Sequence, residues 1–376
     1  MLRVIPFCER SIIMKKIGLY IHIPFCAAKC PYCDFYSVGC SKSSLDEYTT
    51  ILIDRINFYD GQYLADTVYI GGGTPSLLGT ERLLSVLTAV NSAFGTVSRE
   101  TTIEVNPRSA KLLDFFKLKQ YGIDRVSIGL QSANEKELKA LGRRHNADDV
   151  KQAVELIRDS GIDNISLDLM LGIPYQTQDS LSDSIKVCSE LDVKHISAYI
   201  LKIEEGTPYY KAQNSLDLPD EDVVCDLYEY AVDRLSAVGY KQYEISNFSK
   251  SGFESKHNLK YWHCEEYLGI GPAAHSFIDK KRFYYNRSIE DFRRGIIIDD
   301  GIGGEFEEYI AMALRLCEGL KYSSFEEYFN MPFPEKYKAK AQRLVKTGLL
   351  SVDDTGIRLN PKGFLCSNTI ISDILY

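Results

Sequence analysis

Residues 122–129 read GIDRVSIG, and the same pattern returns 39 residues later as GIDNISLD (161–168). Both copies place a glycine where an amphipathic helical pattern ends and follow it with a run of β-branched and aliphatic residues. A helix–turn–strand unit that recurs along a chain is typical of a βα array. The repeat therefore predicts a parallel sheet whose strands are joined by crossover helices.

More apolar runs extend this array in both directions. The predicted strands cover residues 17–23, 67–72, 101–105, 125–130, 164–171 and 195–201, and helical patterns lie at 45–58, 81–93, 109–121, 134–158, 179–190 and 220–238. Six such units are too few for a closed eight-stranded barrel. We therefore predict an α/β fold, a partial (β/α)6 barrel of the TIM type over residues 14–245, with its site at the carboxyl ends of the strands.

The character of the sequence changes after about residue 246. Residues 246–300 are polar and rich in turn residues, so we expect a linker region that carries a binding motif. Helical patterns and a hairpin around Asp354-Thr355-Gly356 predict a winged-helix-like domain over residues 301–376. Residues 1–13 are expected to be an extension, because MKKIGLYIHI from Met14 reads like a natural start.

Composition limits the classes of protein to consider. The chain has 376 residues and a formal net charge of −8, whereas a sequence-independent nucleic-acid binder needs a basic surface. We find no apolar run as long as a membrane span, and no signal-peptide pattern at the N-terminus. We therefore expect a cytoplasmic protein that binds no nucleic acid and keeps its 10 cysteines mostly as reduced thiols.

Three cysteines, Cys26, Cys30 and Cys33, follow the first predicted strand in a C-x₃-C-x₂-C spacing. A structural zinc site needs four ligands, usually in two separated pairs, and the sequence offers no second C-x₂-C. Three thiolates on a four-iron cluster leave one iron with an open coordination position. The amine and carboxylate of S-adenosylmethionine (SAM) could chelate that iron, which favours a cluster with SAM over zinc.

Polar residues follow the later strands where a barrel site would need them. Residues 71–75, GGGTP, allow a ligand to approach the backbone closely, although the same residues could form a simple tight turn. Glu104, Gln131 and Asp168 lie at or near the ends of three successive strands. Arg143 could pair with a carboxylate through its planar fork, or be a solvated arginine at a helix end.

The C-x₃-C-x₂-C motif directly after a strand, with Tyr32 before its third cysteine, resembles the radical SAM superfamily. More specifically, YIHIPFC, GGGTPS, IEVNPR, SIGLQS, LGRRH and LDLMLGIPYQT together resemble the oxygen-independent coproporphyrinogen III oxidase family, from about Leu19 to the C-terminal module. The resemblance implies that the three cysteines hold a [4Fe-4S] cluster and that His22 is structural. It also implies a SAM pocket formed by Tyr20, Tyr32, Gly72, Gly73, Thr74, Glu104, Gln131, Arg143 and Asp168.

Two branches of this family differ near the cysteines. The oxidases resemble C-x₃-C-x₂-C-x-C and have a longer segment before the first strand, whereas here Phe35 stands at the fourth cysteine position. Both departures favour the haem-chaperone branch of the HemW type. That resemblance implies haem as a ligand, recipient haemoproteins as partners, and a fold that permits a homodimer.

Residues 257–262, HNLKYW, match the H-N-x-x-Y-W motif that the resemblance associates with haem binding. It implies that His257, Asn258, Tyr261 and Trp262 contact haem, with His257 as the axial ligand. The alternative is that HNLKYW packs a domain junction and His257 is hydrogen-bonded there. His263 and His275 are alternative haem ligands.

Two other functions fit the same motifs. A radical decarboxylase acting on a porphyrinogen would keep the cluster, SAM and the pocket, and it predicts substrate turnover. A protein with a purely structural cluster predicts no cleavage of SAM under reducing conditions.

Overall fold

The computed structural model describes residues 14–95 and 100–376, so the predicted extension (1–13) lies outside the described residues. Adjacent parallel strands form the barrel: β1 (Lys15–Ile23), β2 (Tyr63–Gly72), β3 (Glu100–Val105), β4 (Arg125–Gln131), β5 (Asn164–Leu171) and β6 (His195–Ile200). Each strand pairs with the next along the chain, as in Leu19 opposite Val68. The six predicted strands and the partial α/β barrel are confirmed.

The longer helices cover the outer face of this sheet, because both faces of a parallel sheet must be buried. The helices of this part of the chain are α1 (Lys42–Phe58), α2 (Thr80–Phe94), α3 (Phe115–Gln120), α4 (Glu135–Ala140), α5 (Ala147–Asp159), α6 (Gln178–Glu190), α7 (Pro208–Ala212) and α8 (Glu221–Ala237), with 3₁₀ turns at Pro75–Leu78, Pro107–Leu112 and Gln213–Ser215.

Two predicted helices are broken in the structure. The pattern over 134–158 gives α4 and α5, because Gly142 adopts φ of +69° and residues 143–146 are not helical. The pattern over 109–121 gives a 3₁₀ turn and then α3, which begins after Asp114 caps its first turn by accepting a hydrogen bond from Lys117 N at 3.1 Å.

The segment predicted as a linker is instead part of the main sheet. It contains β8 (Asn247–Ser249), α9 (Lys256–Trp262), β9 (Tyr267–Ile270), β10 (His275–Ile278), β11 (Lys281–Tyr285), α10 (Ile289–Arg294) and β12 (Ile297–Ile302), after the short strand β7 (Lys241–Gln242). β9 pairs in parallel with β1, and β8 pairs antiparallel with β6. These short strands extend the open barrel on both sides. They were not predicted, because their apolar runs are short and are interrupted by polar turn residues.

The C-terminal module comprises α11 (Phe306–Ala313), β13 (Leu320–Lys321), α12 (Tyr322–Phe329), α13 (Glu335–Leu344), a 3₁₀ turn (Val345–Thr347), β14 (Leu350–Val352), β15 (Gly356–Leu359), α14 (Pro361–Leu365) and α15 (Ser367–Leu375). β14 and β15 form the predicted hairpin. The module joins the barrel through backbone hydrogen bonds, from Ile245 N to Arg315 O (2.9 Å) and from Cys317 N to Tyr243 O (3.0 Å).

None of the helices in residues 14–95 and 100–376 has the length and apolar character needed to cross a membrane.

Candidate functional site

The cysteine loop leaves the end of β1 and folds back on itself. Val38 N donates to Pro24 O (2.7 Å), and Cys26 N donates to Val38 O (3.0 Å), so the two ends of the loop are tied together. Cys33 N donates to Cys30 O (3.1 Å) in the turn between them. All three thiols line one cavity of about 570 Å³ at the carboxyl ends of the strands.

The donor set fits a multi-iron cluster better than a single metal ion. In the described part of the chain, no three His, Cys, Asp or Glu side chains converge on a position for one ion. Cysteines that bind different irons of a cluster do not need to converge in this way. Burial raises the pKa of the Cys33 thiol, so its thiolate needs a nearby positive centre. When bound and reduced, a cluster supplies the electron for SAM cleavage.

The glycines that end β2 pack tightly against the cysteine loop. Gly72 has φ of +111°, and a Cβ on it would lie 2.5 Å from the His22 ring. A Cβ on Gly73 would lie 2.6 Å from Phe25 O, and Gly73 N donates to Ile23 O (2.8 Å). Thr74 Oγ1 then lies 3.7 Å from Cys26 Sγ. These positions therefore require glycine to bring backbone groups to the cavity wall.

Two buried carboxyls lie in the strand layer of the cavity. Glu104 accepts hydrogen bonds from Tyr69 Oη (2.9 Å) and Gly72 N (3.0 Å), and Asp168 accepts one from Ser127 Oγ (3.0 Å). Burial, together with the Asp168 carboxylate, raises the pKa of Glu104 to about 7. Burial raises the pKa of Asp168 to about 6. The pair can hold a cationic ligand when ionised.

Polar groups from other elements reach the same cavity. Arg143 follows the break after α4, and its Nη2 donates to Tyr32 Oη at 2.6 Å. Gln131 ends β4 with φ of +67°, and its Oε1 accepts from Tyr199 Oη at 3.0 Å. The sequence allowed Arg143 to be either a carboxylate ligand or a solvated arginine at a helix end. In the structure its guanidinium group lies in the cavity wall.

The structure brings together most of the predicted cofactor residues. The cavity is lined by Cys26, Cys30, Cys33, Tyr32, Gly72, Gly73, Thr74, Glu104, Gln131, Arg143 and Asp168. Tyr20 lies behind this lining, with its Oη 3.0 Å from His22 Nδ1. His22 Nε2 donates to Tyr36 O (2.9 Å), so His22 braces the cysteine loop.

Sequence reasoning missed three residues that orient these groups. Tyr69, Ser127 and Tyr199 donate hydrogen bonds to Glu104, Asp168 and Gln131 respectively. For Tyr69, strand alternation held the signal: Tyr69 lies two residues before Gly71 and so faces the same side of β2, and a Cβ on Gly71 would lie 2.9 Å from the Glu104 carboxyl.

The HNLKYW helix, α9, lies at the opposite end of the barrel from the cysteines. His257 Nδ1 lies 2.9 Å from Thr67 Oγ1, in the middle of β2, and the backbone N of His257 donates to Glu100 Oε1 (3.1 Å), at the start of β3. Thr67 and Gly72 are five residues apart on β2, which corresponds to about 17 Å along an extended strand.

Both ring nitrogens of His257 lie within hydrogen-bonding distance of a side-chain hydroxyl. Its Nε2 lies 2.8 Å from Tyr261 Oη, its ring stacks on Tyr69 at 5.2 Å, and it is 1% exposed. Burial, with Lys260 and Arg125 nearby, lowers its pKa to about 3. Both ring nitrogens are therefore engaged within the fold.

The other motif residues and alternative ligands lie around α9 or on the surface. Asn258 and Trp262 are half-buried on α9. His263 Nε2 lies 3.9 Å from Glu318 Oε1, and the exposed His275 stacks on Tyr284 at 4.7 Å. The structure does not bring these histidines to one site.

Fold and site define a radical SAM protein. The profile of the Radical SAM superfamily matches residues 20–188, and that of the HemN C-terminal domain matches residues 305–366. Superfamily membership implies a [4Fe-4S] cluster and SAM. The solved structure of Escherichia coli coproporphyrinogen III oxidase (HemN) has the same fold, with a TM-score of 0.80, 22% identity, and 96% of this chain and 90% of that chain covered.

Sequence comparison with curated relatives identifies the family within the radical SAM superfamily. The heme chaperone HemW of Lactococcus lactis is 34% identical over 96% of this chain and 98% of its own length. HemW of Bacillus subtilis is 33% identical over 95% and 98%, and HemW of Escherichia coli is 37% identical over 70% and 70%. The chain belongs to the heme chaperone HemW family.

Proposed function

We propose that this protein binds haem and delivers it to haemoproteins in the cytoplasm, on a radical SAM barrel that holds a [4Fe-4S] cluster and SAM. The observation that carries the proposal is the near full-length similarity to proteins named heme chaperone HemW. Cys26, Cys30 and Cys33 would hold the cluster. Glu104, Asp168, Arg143, Gln131 and the Gly72–Thr74 backbone would bind SAM, because they line the cavity beside the thiols.

Phe35 supports the chaperone over the oxidase alternative. The oxidase resemblance requires a thiol at this position, but Phe35 places an apolar ring there, 66% exposed at the mouth of the cavity. An exposed aromatic residue offers a contact surface to a flat apolar ligand.

Haem ligation by the HNLKYW helix stays a prediction. For His257 to reach an iron, it must give up its contact with Thr67 or Tyr261. Asn258, Tyr261 and Trp262 would then contact the ring only after α9 moves away from β2.

The first test is turnover. Cluster-reconstituted protein would be incubated anaerobically with SAM, a strong reductant and coproporphyrinogen III, beside a known oxidase as positive control, and products read by mass spectrometry. We expect no protoporphyrinogen. Haem binding by the same preparation, followed by absorbance, and transfer of that haem to an apo-haemoprotein complete the test.

Formation of protoporphyrinogen would overturn the proposal in favour of the oxidase. A preparation with an intact cluster that binds no haem would also overturn it, and would favour a structural cluster if SAM is not cleaved either.

A further inference from the structure

The outer part of the cofactor cavity has a chemistry that SAM binding does not explain. Lys29, Arg108, Lys111 and Arg144 line it and are exposed, and we refer to these four residues as the basic rim. The carboxyls that line the cavity, Glu104 and Asp168, belong instead to the strands. The four cations therefore surround one opening, although the chain as a whole has a net charge of −8.

Within the described residues, none of the four rim cations forms an ion pair with a carboxylate. Arg108 Nη1 donates to the backbone oxygen of Arg144 at 3.3 Å, which ties the Arg108 side chain to the loop that carries Arg144. Four unpaired cations around one opening attract an anionic ligand.

Apolar side chains stand among these cations. Phe35 is 66% exposed and Leu112 is 53% exposed, and both line the same cavity. Leu112 follows Lys111 at the end of the Pro107–Leu112 turn, so an apolar and a cationic side chain lie next to each other on the cavity lining. Such a surface matches a ligand with a flat apolar body and carboxylates at its margin.

Haem has this chemistry, since an apolar ring carries two carboxylates on one side. We propose that haem docks across the mouth of the cofactor cavity, with its ring against Phe35 and Leu112 and its carboxylates on the basic rim. This inference rests on the proposed haem binding and assigns it a place. That place is at the opposite end of the barrel from α9, whose His257 has no free ring nitrogen.

The test compares two double variants that change the net charge equally. Arg108→Glu/Arg144→Glu reverses two rim cations. Lys151→Glu/Lys186→Glu reverses two exposed cations on α5 and α6 that do not line the cavity. Each is prepared with its cluster, and the dissociation constants of haem and of haem dimethyl ester, which lacks the carboxylates, are measured by absorbance titration.

We expect the rim variant to bind haem at least ten-fold more weakly than wild type, which corresponds to about 1.4 kcal/mol. The control variant should stay within two-fold. The dimethyl ester should bind wild type and rim variant equally, because the rim then has no carboxylate to hold.

Three results would overturn the inference while leaving haem binding intact. These are a rim variant that binds haem as tightly as the control, a dimethyl ester that binds wild type as tightly as haem, or loss of haem binding in a folded His257→Ala variant whose rim is unchanged. Wild-type protein that binds no haem would instead contradict the proposed function itself.

Discussion

Single glycines determine how closely β2 approaches the cysteine loop. Gly72 and Gly79 both have positive φ, +111° and +74°, but their surroundings differ. A Cβ on Gly72 meets the His22 ring at 2.5 Å, whereas a Cβ on Gly79 meets nothing within 4 Å. Alanine carries a backbone cost at both positions, but only at Gly72 would its Cβ also clash with another side chain.

We predict that Gly72→Ala displaces His22 and the loop it braces, and lowers the iron bound per chain after reconstitution to less than half. Gly79→Ala should cost about 1–3 kcal/mol of stability through backbone strain and leave iron binding unchanged. Iron and sulfide assays, with the thermal midpoint of each variant, check this. Equal iron content in both variants would show that the close packing at Gly72 is not required.

The raised pKa values of Glu104, about 7, and Asp168, about 6, predict how SAM affinity depends on pH. SAM carries a positive sulfonium, which the ionised carboxylates favour and the protonated acids do not. Affinity should therefore rise as pH increases from about 5.5 to about 7.5 and then level off.

Glu104→Gln should bind SAM more weakly above pH 7 and lose the upper part of this rise, as measured by calorimetry at several pH values. Glu244→Gln is a matched control, because Glu244 is also buried with its pKa raised to about 7 but does not line the cavity. An unchanged pH profile in Glu104→Gln would exclude Glu104 as the titrating group.

At the scale of elements, α9 closes the end of the barrel opposite the cysteines. Glu100 at the start of β3 accepts from the backbone N of Lys256 and His257, both at 3.1 Å, and so caps α9. The ion pair of Lys260 with Asp66 (2.8 Å) adds a second attachment to β2. The helix is therefore held at several points by β2 and β3.

We predict that His257→Ala lowers the free energy of unfolding by about 2–4 kcal/mol, because it empties a buried site and leaves Thr67 and Tyr261 without a partner. His263→Ala should change it by less than about 0.5 kcal/mol, since His263 is partly exposed and its contact is long. Denaturant titration checks both. A His257→Ala protein of unchanged stability would favour a ligand role over a packing role.

At the scale of the whole molecule, one continuous apolar core joins the barrel and the C-terminal module. Leu314, Phe325 and Ile374 belong to the same buried cluster as the strand residues Ile21 and Val126. Phe325 packs against Phe329 (4.5 Å) and Phe333 (5.0 Å) within the module. The two parts should therefore unfold together.

We predict that Phe325→Ala lowers stability by about 3–5 kcal/mol in a single transition. Hydrogen exchange should show faster opening in β1–β6 as well as in α12 and β13–β15. Phe116→Ala, at an exposed position on α3, should have little effect. Faster exchange confined to residues after 305 would show that the module unfolds independently.

Local patterns predicted the barrel well because strands and helices follow periodicities that adjacent residues carry. The prediction of a linker over 246–300 was wrong because local patterns were too short there. β8 and β9 are short strands that form by pairing with β6 and β1, which are far away in sequence. The broken helix over 134–158 likewise depends on Gly142, whose φ of +69° ends the first half.

The sequence by itself determined the cysteine spacing, the order of the six parallel strands and the polar residues at their ends. Only the tertiary structure decided that these residues line one cavity, and that His257 is bound to Thr67, 190 positions away. The tertiary structure also decided that the four residues of the basic rim, which come from separate loops, lie around one opening. Spacing is a local property of the chain. Whether a histidine nitrogen has a hydrogen-bond partner, or a lysine or arginine has a carboxylate partner, depends on distant segments that meet when the chain folds.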